Sequence, residues 1–197
     1  MKQPKENRKD QIVEGMLRVM ASQGYDGSSI QEIAREAGLS PGLIHYHFRS
    51  KQDILLALIQ KIEMIIEARF QRRAANATTP WQHLCAIIDA HVVYEEDANT
   101  DAVSCWVAIG AEAVKSPEVK MAYKSTIYKE TGRIQEYVRQ ILESNNQPDL
   151  HVKEISALIM SAIQGAFLLS VTAEATPNGF AARNIRNLAH SILNPAD

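Results

Sequence analysis

The sequence predicts an all-α protein of about nine helices, with an N-terminal three-helix domain followed by a C-terminal helical bundle. Apolar residues recur every three or four positions over most of the 197 residues, which is the spacing of one helix face. Gly, Pro, Ser, Thr and Asn interrupt these runs where helices end and restart. Alternating apolar and polar runs, which indicate strands, are absent from the sequence. We place the two domains at residues 1–53 and 54–197.

The first predicted helix covers about Lys9 to Gln23 and supports the two helices that follow. Gly24, with Asp26 and Gly27 just after it, closes this helix. Its apolar residues recur at helical spacing and would face the other two helices. They are Ile12, Val13, Met16, Leu17, Val19 and Met20.

The second predicted helix begins at Ser28. The Ser28 hydroxyl can accept from an amide one turn into the helix, and Gln31 can complete a capping box. Gly38 supplies the left-handed residue that ends the helix. The helix has one apolar face, which should be buried. That face consists of Ile30, Ile33, Ala34 and Ala37.

The third predicted helix runs from Ser40 to about His47. Ser40 and Pro41 suit the N-cap and first-turn positions, and Ile44 and Phe48 anchor the helix inward. Two short helices joined by a glycine-containing turn form a helix-turn-helix, whose second helix enters a DNA major groove with its N-terminal residues at the base edges. These two helices are therefore the candidate DNA-binding unit.

The stretch SSIQEIAREAGLSPGLIHYHFRSKQDIL resembles the DNA-binding signature of the TetR family of bacterial transcriptional regulators, and SPGLIHYHF resembles its BetI-like branch. The resemblance implies a sequence-specific regulator, usually a repressor that a small-molecule effector releases from operator DNA. It also implies that Lys51 touches phosphate, and that His45 stands where many members have Tyr. The candidate DNA-binding residues are Ser28, Ser29, Gln31, Ser40, Pro41, Gly42, Leu43, His45, Tyr46, His47 and Lys51.

Six further helices are predicted after the DNA-binding unit. Ser50 can cap the first of them, and Thr79 with Pro80 restarts a helix after a linker. The first of the six connects the two domains. The six cover Lys51 to about Ala74, Trp81 to about Glu96, Ala102 to Val114, Ser116 to about Ser144, about Leu150 to Ala173, and about Phe180 to Leu193.

The helix predicted from about Leu150 to Ala173 is apolar over well over half its surface. A surface helix buries about one stripe, so this width indicates a central helix or a second face against a partner. In TetR-like proteins the last two helices form a four-helix bundle with their copies. We therefore expect a homodimer through these two helices, and a central helix in a monomer is the alternative.

Charge distribution, apolar runs and cysteines bear on the class of protein and its cellular compartment. Residues 1–74 carry 12 Lys and Arg against 9 Asp and Glu, whereas residues 75–197 carry 9 against 14. This asymmetry is typical of a basic DNA-binding domain attached to an acidic second domain, although an ordinary distribution of charges over helix surfaces would also explain it. No apolar run approaches the roughly 18 residues of a membrane span, and the N-terminus lacks a signal-peptide core, so we expect a cytoplasmic protein. Cys85 and Cys105 are expected to be buried free thiols.

Catalytic motifs are missing from the sequence. GxSxG, HExxH and P-loop patterns do not occur, and His45 and His47 would point about 200° apart on a helix, which prevents chelation of one metal. We expect no enzyme, no metal and no cofactor. Two alternatives to an effector-controlled regulator stay open: a DNA-binding dimer without an effector, and a helical enzyme with an appended DNA-binding fold.

An effector cavity is expected in the C-terminal domain, where aromatic and polar groups interrupt aliphatic helix faces. The candidate lining residues are His91, Tyr94, Trp106, Tyr128 and Phe167. A plain core role for each of them stays open. A quaternary ammonium effector such as choline would require a cation–π cage.

Overall fold

The computed structural model describes residues 6–92, 100–173 and 180–194. Within these ranges the protein consists of nine α-helices and a short 3₁₀ turn, without strands, so the predicted all-α fold is confirmed. The 3₁₀ turn, Asp149–His151, precedes the eighth helix. The helices are α1 (Glu6–Gly27), α2 (Ile30–Ala37), α3 (Pro41–His47), α4 (Lys51–Ala74), α5 (Pro80–Val92), α6 (Thr100–Lys115), α7 (Pro117–Ser144), α8 (Val152–Thr172) and α9 (Phe180–Leu193).

The described chain divides into two compact units. The first comprises the described parts of Met1–Met64 and Asn99–Ser125, and the second those of Ile65–Ala98 and Thr126–Asp197. Each unit combines segments that are separate in sequence. In the first unit the reason is that α6 packs against α1. The boundary expected after residue 53 from the DNA-binding motif remains a prediction.

Helix α1 is the support of the first unit and packs against both α2 and α6. The predicted apolar residues of α1, from Ile12 to Met20, are all buried. A side chain at Gly15 would come within 3.0 Å of the Ala37 Cβ and the Ile33 carbonyl, so glycine lets α1 and α2 approach closely. Helix α1 is interrupted where the sequence predicts its end, since Gly24 has a φ of 72°.

Both cysteines are free thiols, as expected, but Cys85 is only half-buried, so the expectation that both are buried was wrong for Cys85. Cys105 is buried, and its thiol donates to the Leu17 carbonyl at 3.2 Å. Burial raises the pKa of Cys105 to about 12 and that of the half-buried Cys85 to about 11. The thiolate is the reactive form, so these side chains act as packing groups at neutral pH.

In the second unit, α8 packs against α9 and α5, and α5 also packs against α9. Arg186 of α9 pairs with Asp89 of α5 at 3.2 Å, and the rings of Trp81 and His190 meet edge to face at 5.2 Å. Several large apolar side chains of α8 and α9 remain exposed in the single chain. They are Leu158, Leu168, Leu169, Val171, Phe180 and Leu188.

The segment Asp149–Thr172, which includes α8, is long and apolar enough by length and composition to cross a membrane. Its most apolar 18-residue window has a mean hydropathy of 1.8, and a third of that window is buried. The expectation that no stretch of the sequence reaches this length was therefore wrong. Core helices of soluble proteins also meet this criterion, and α8 packs against α5 and α9.

Candidate nucleic-acid interface

Helix α2 is capped by Ser29 rather than by Ser28. The Ser29 hydroxyl accepts from the Glu32 N–H at 3.1 Å, while the Ser28 hydroxyl donates to the Gly24 carbonyl at 2.6 Å. Ser28 is fully buried, so its predicted roles as helix cap and as DNA contact are both wrong. With the cap one residue later, Glu32 takes the third helical position in place of Gln31, and the predicted capping box of Gln31 is wrong as well.

The turn between α2 and α3 forms as predicted. Gly38 has φ 65° and ψ 34°, the left-handed conformation that glycine adopts without strain. The Leu39 N–H donates to the Ala34 carbonyl at 2.9 Å, and the Gly38 N–H donates to the Arg35 carbonyl at 3.2 Å. This pair of bonds is a Schellman motif, which ends α2 and sets the direction of the chain into α3.

Helix α3 is held from one side and exposed on the other. The Ser40 hydroxyl accepts from the Leu43 N–H at 3.3 Å, and Pro41 occupies the first helical position. Ile44 is fully buried, and Phe48 is buried beyond the end of the helix. The predicted anchors of α3 are therefore confirmed, and they point its opposite face towards solvent.

Most predicted DNA-binding side chains lie on accessible surface of the first unit. Tyr46 is 71% exposed, while Leu43 and His47 are half-buried. The Tyr46 and His47 rings meet edge to face at 5.1 Å. A side chain added at Gly42 would contact nothing within 4 Å. The remaining exposed members of the set are Ser29, Gln31, Ser40, Pro41, Gly42 and His45.

Lys51 is fixed at the start of α4 by a residue that sequence reasoning missed. Its Nζ donates to the Tyr25 carbonyl at 2.8 Å and lies 3.9 Å from the centroid of the Tyr25 ring. Burial, followed by the nearby carboxylates of Glu112 and Asp26, raises the pKa of Tyr25. An ammonium has three donors, so Lys51 can keep this contact and still donate to a phosphate.

The start of α4 carries a reciprocal cap. The Ser50 hydroxyl accepts from the Asp53 N–H at 3.1 Å, which confirms Ser50 as the cap. The Asp53 carboxylate in turn accepts from the N–H groups of Arg49 and Ser50, both at 3.1 Å. The Ser-x-x-Asp spacing in the sequence could have identified the role of Asp53.

Part of the positive charge near the motif is already paired. Arg18 Nε lies 2.5 Å from Glu36 Oε1, and Lys61 Nζ lies 2.8 Å from Glu14 Oε1. Arg35 also pairs with Glu32, one turn away on α2. The net positive charge of residues 1–74 therefore overstates the number of cations that can face phosphate.

Residues 12–58, which include α2, α3 and the start of α4, match the profile of the bacterial regulatory proteins of the tetR family. This N-terminal segment is therefore a TetR-family domain. The resemblance found in the helix-turn-helix stretch is thus confirmed.

The sequence relatives of this chain include BetI regulators. BetI of Rhizobium meliloti is 33% identical over 113 residues, which are 57% of this chain and 55% of that regulator. The regulator PksA of Bacillus subtilis is 24% identical over 156 residues, 78% of this chain and 76% of PksA. The chain therefore spans about half the length of the BetI relative.

Solved structures share the fold of this chain. A putative TetR-family regulator from Rhodococcus sp. has a TM-score of 0.82 and 16% identity, and the match covers 96% of this chain and all of that one. A putative regulator from Saccharomonospora viridis, solved in complex with choline, has a TM-score of 0.80 and 21% identity, and the match covers 96% of each chain. At these identities the likeness establishes the fold alone.

Two of the five predicted effector residues are in contact. His91 and Phe167 meet in the second unit, with ring centroids 6.3 Å apart. Trp106 instead stacks on Tyr123 at 4.6 Å in the first unit. Tyr128 is 65% exposed, and Tyr94 lies outside the described residues. Within the second unit, the described structure thus brings the pair His91 and Phe167 together.

A charged cluster lies beside this pair, with His91 and Glu130 buried and Arg133 half-buried, and sequence reasoning missed its members on α4 and α7. His91 Nε2 lies 3.9 Å from Glu130 Oε2, and Arg133 Nη1 lies 3.7 Å from the same oxygen. Arg133 also pairs with Glu67 and lies over the ring of Phe70, at 4.6 Å from its centroid. We call His91, Glu130 and Arg133 the buried triad. The spacing of Glu130 and Arg133, three apart on α7, was the signal available in the sequence.

Burial is the main cause of a lowered pKa at His91, and the Arg133 and Arg69 guanidinium groups lower that pKa further. The Glu130 carboxylate and the hydrogen bond to the Ile87 carbonyl oppose this shift. The described residues contain no group of three or more His, Cys, Asp or Glu that could hold a metal ion.

Proposed function

We propose that this chain is a sequence-specific DNA-binding transcriptional regulator that acts as a homodimer in the cytoplasm. The observation that carries the proposal is the exposed face of α3, whose capped N-terminal end projects from a helix anchored by Ile44 and Phe48. Such a helix places its first residues at base edges in the major groove, while residues at the start of α4 contact the backbone. Lys51 is the backbone contact and Leu43 a base contact in this proposal.

Gly42 supports this role for α3. Glycine weakens a helix, and an added side chain at this position would meet nothing in the chain. Internal packing therefore gives no reason for glycine here. A close approach of α3 to DNA would give one, because a side chain at Gly42 would stand between the helix backbone and the bases.

The proposed homodimer forms through α8 and α9. Their exposed apolar residues, such as Leu168 and Phe180, are the kind of surface that a second copy covers. A dimer would hold two α3 helices at the separation of half-sites one helical turn apart, about 34–36 Å. The proposed partners are thus operator DNA and a second copy of the chain.

A small molecule bound in the second unit is proposed to release the operator, which makes the protein a repressor. Such an effector acts through its different affinity for the DNA-bound and DNA-free states. The buried triad beside Phe167 favours this proposal over a dimer that senses nothing, because a solid apolar core would need no such cluster. No catalytic activity and no cofactor are proposed.

Selection of bound fragments from the source genome tests DNA binding and identifies the operator. We expect the purified protein to bind a selected fragment about 10³-fold or more tightly than a scrambled one at physiological salt. Leu43→Ala should change which fragments are selected, whereas Met121→Ala, at an exposed apolar position of the same unit, should not. Equal affinity for selected and scrambled fragments would contradict the proposed function.

A further inference from the structure

The buried triad has hydrogen-bonding groups that its own residues leave unmatched. Glu130 Oε2 and Arg133 Nη1 are buried and have no hydrogen-bond partner in the described chain. They lie 3.7 Å apart, beyond the 2.7–3.2 Å of an N–H···O hydrogen bond. Buried polar atoms without partners are uncommon in native proteins and call for a specific explanation.

The tautomer of His91 makes the mismatch more specific. His91 Nδ1 lies 2.8 Å from the Ile87 carbonyl oxygen, which can only accept, so Nδ1 carries the proton. In the neutral ring Nε2 is then an acceptor. This nitrogen faces Glu130 Oε2, another acceptor, at 3.9 Å. A hydrogen-bond donor is therefore missing between His91 and Glu130.

An acceptor is missing as well, because Arg133 Nη1, which lies 3.7 Å from the same Glu130 oxygen, is a donor without a partner. One oxygen atom can lie about 2.8 Å from two atoms that are 3.7–3.9 Å apart. A hydroxyl oxygen between Glu130 and Arg133 can donate its proton to the Glu130 carboxylate and accept from Arg133 Nη1. A hydroxyl group thus supplies both missing partners.

We propose that the buried triad binds the hydroxyl group of an uncharged small molecule, whose apolar part lies against the ring of Phe167. The proposal rests on the proposed function in one respect, since the bound molecule is taken to be the effector. It names the chemical class of that molecule and the three side chains that recognise it.

Other chemical classes match the triad less well. The quaternary ammonium group itself has no N–H or O–H, so that group cannot donate to His91 or Glu130. The guanidinium groups of Arg133 and the buried Arg69 repel it, while the carboxylates of Glu130 and Glu67 attract it, so the cluster offers no net preference for a cation. A carboxylate would accept from Arg133 but would add a third acceptor beside Glu130 and His91.

Calorimetric titration of the full-length protein with three probes tests the class. Benzyl alcohol, ethylbenzene and benzyltrimethylammonium share a benzyl group, and their benzyl carbon carries a hydroxyl, a methyl and a trimethylammonium group, respectively. Benzyl alcohol should bind about 10- to 100-fold more tightly than ethylbenzene, because the methyl group leaves the triad unmatched. It should also bind more tightly than the cation. 1-Butanol and diethyl ether are smaller probes with the same molecular formula, and 1-butanol, which has the hydroxyl, should bind more tightly.

Variants then assign the preference to the triad. Glu130→Gln should bring the affinities for benzyl alcohol and ethylbenzene close together. The amide can itself donate to His91 Nε2, and the substitution removes the charged acceptor. Glu136→Gln, an exposed position on the same helix, is the matched control and should keep the preference. A preference that survives in Glu130→Gln would overturn the assignment.

Equal affinity of the wild-type protein for hydroxyl and methyl probes, tighter binding of the cation, or no binding in either probe set would overturn the proposal. If the triad holds only water, neither probe set should bind. Operator binding is measured separately by fluorescence anisotropy, without any probe. Loss of sequence preference there overturns the proposed function, whereas a negative titration with intact sequence preference overturns the hydroxyl site alone.

Discussion

The helix-turn-helix and the buried triad are organised by different kinds of interaction. In the helix-turn-helix the capping and turn contacts join residues that are close in sequence, such as the Ser40 hydroxyl with the Leu43 N–H. In the triad His91 comes from α5 and meets Glu130 and Arg133 of α7. The first region satisfies its own polar groups, and the second leaves buried polar atoms unmatched.

This difference suggests a division of roles. A site that reads DNA must be rigid, because side chains have to meet base edges within hydrogen-bond distance. A site that binds an effector must be stabilised by the bound effector, and buried polar groups without partners provide this stabilisation because the effector supplies their hydrogen bonds. Substitutions in the two regions should therefore differ in whether they change stability, pH dependence or DNA binding.

The largest effect is expected at Ile44, the buried anchor of α3. Ile44→Ala should lower the free energy of unfolding by about 2–5 kcal/mol, because it leaves a cavity at a fully buried position. Urea unfolding followed by circular dichroism measures this change. Tyr46→Ala, on the exposed face of α3, should stay within about 0.5 kcal/mol of wild type. Similar losses in both variants would show that α3 is not anchored on one side.

The turn glycine should show the next largest effect. Gly38→Ala should destabilise the protein by about 1–2 kcal/mol, because its φ of 65° is strained for a residue with a side chain. Gly42→Ala should leave stability unchanged or raise it by up to about 1 kcal/mol, and should weaken operator binding. Unfolding and anisotropy titrations separate the two. A destabilised Gly42→Ala would refute the view that internal packing does not require this glycine.

Most of the helix-turn-helix was predictable from sequence because local rules determine it. Gly38 and Ser40 follow from backbone conformation and capping, and Ile44 follows from helical spacing. The error at Ser28 arose because two adjacent serines fit the same cap, and only the burial of Ser28 distinguishes them. Sequence alone gave no means of ranking the two.

The triad was not predictable in the same way. His91 was recognised as a candidate, but Glu130 and Arg133 resemble ordinary charged residues of an exposed helix face. Only the packing of α7 in the second unit shows that Glu130 is buried. Trp106 and Tyr128 show the same limit of sequence patterns, since an aromatic residue in an apolar helix does not reveal which neighbour it will meet.

The pH dependence of stability should report the triad. The folded pKa of His91 is lowered, so the unfolded chain, with an ordinary histidine pKa of about 6.5, binds the proton first as pH falls. Stability should therefore decrease below about pH 6.5, with a contribution of up to about 1.4 kcal/mol per pH unit. His91→Gln should remove this part of the slope, and His151→Gln, at an exposed position, should keep it. Unfolding curves from pH 5 to 8 measure both, and equal slopes in the two variants would contradict the assignment.

The smallest expected change in stability is at Lys51, where a change in DNA binding should dominate. Lys51→Ala should weaken binding to all DNA sequences alike and reduce the slope of log K against log salt by about 1, because one phosphate contact is lost. Anisotropy titrations at several salt concentrations measure the slope. Lys120→Ala, at an exposed position of the same unit, is the control and should leave it unchanged.

The contact of Lys51 with Tyr25 allows a further distinction. If Lys51 only fastened Tyr25 to the start of α4, Lys51→Ala would lower stability and leave the salt slope unaltered. If Lys51 also contacts phosphate, Lys51→Arg should restore the slope, because guanidinium keeps the charge and the donors. An unchanged slope in Lys51→Ala would reduce Lys51 to a structural residue and leave the reading of DNA to α3 alone.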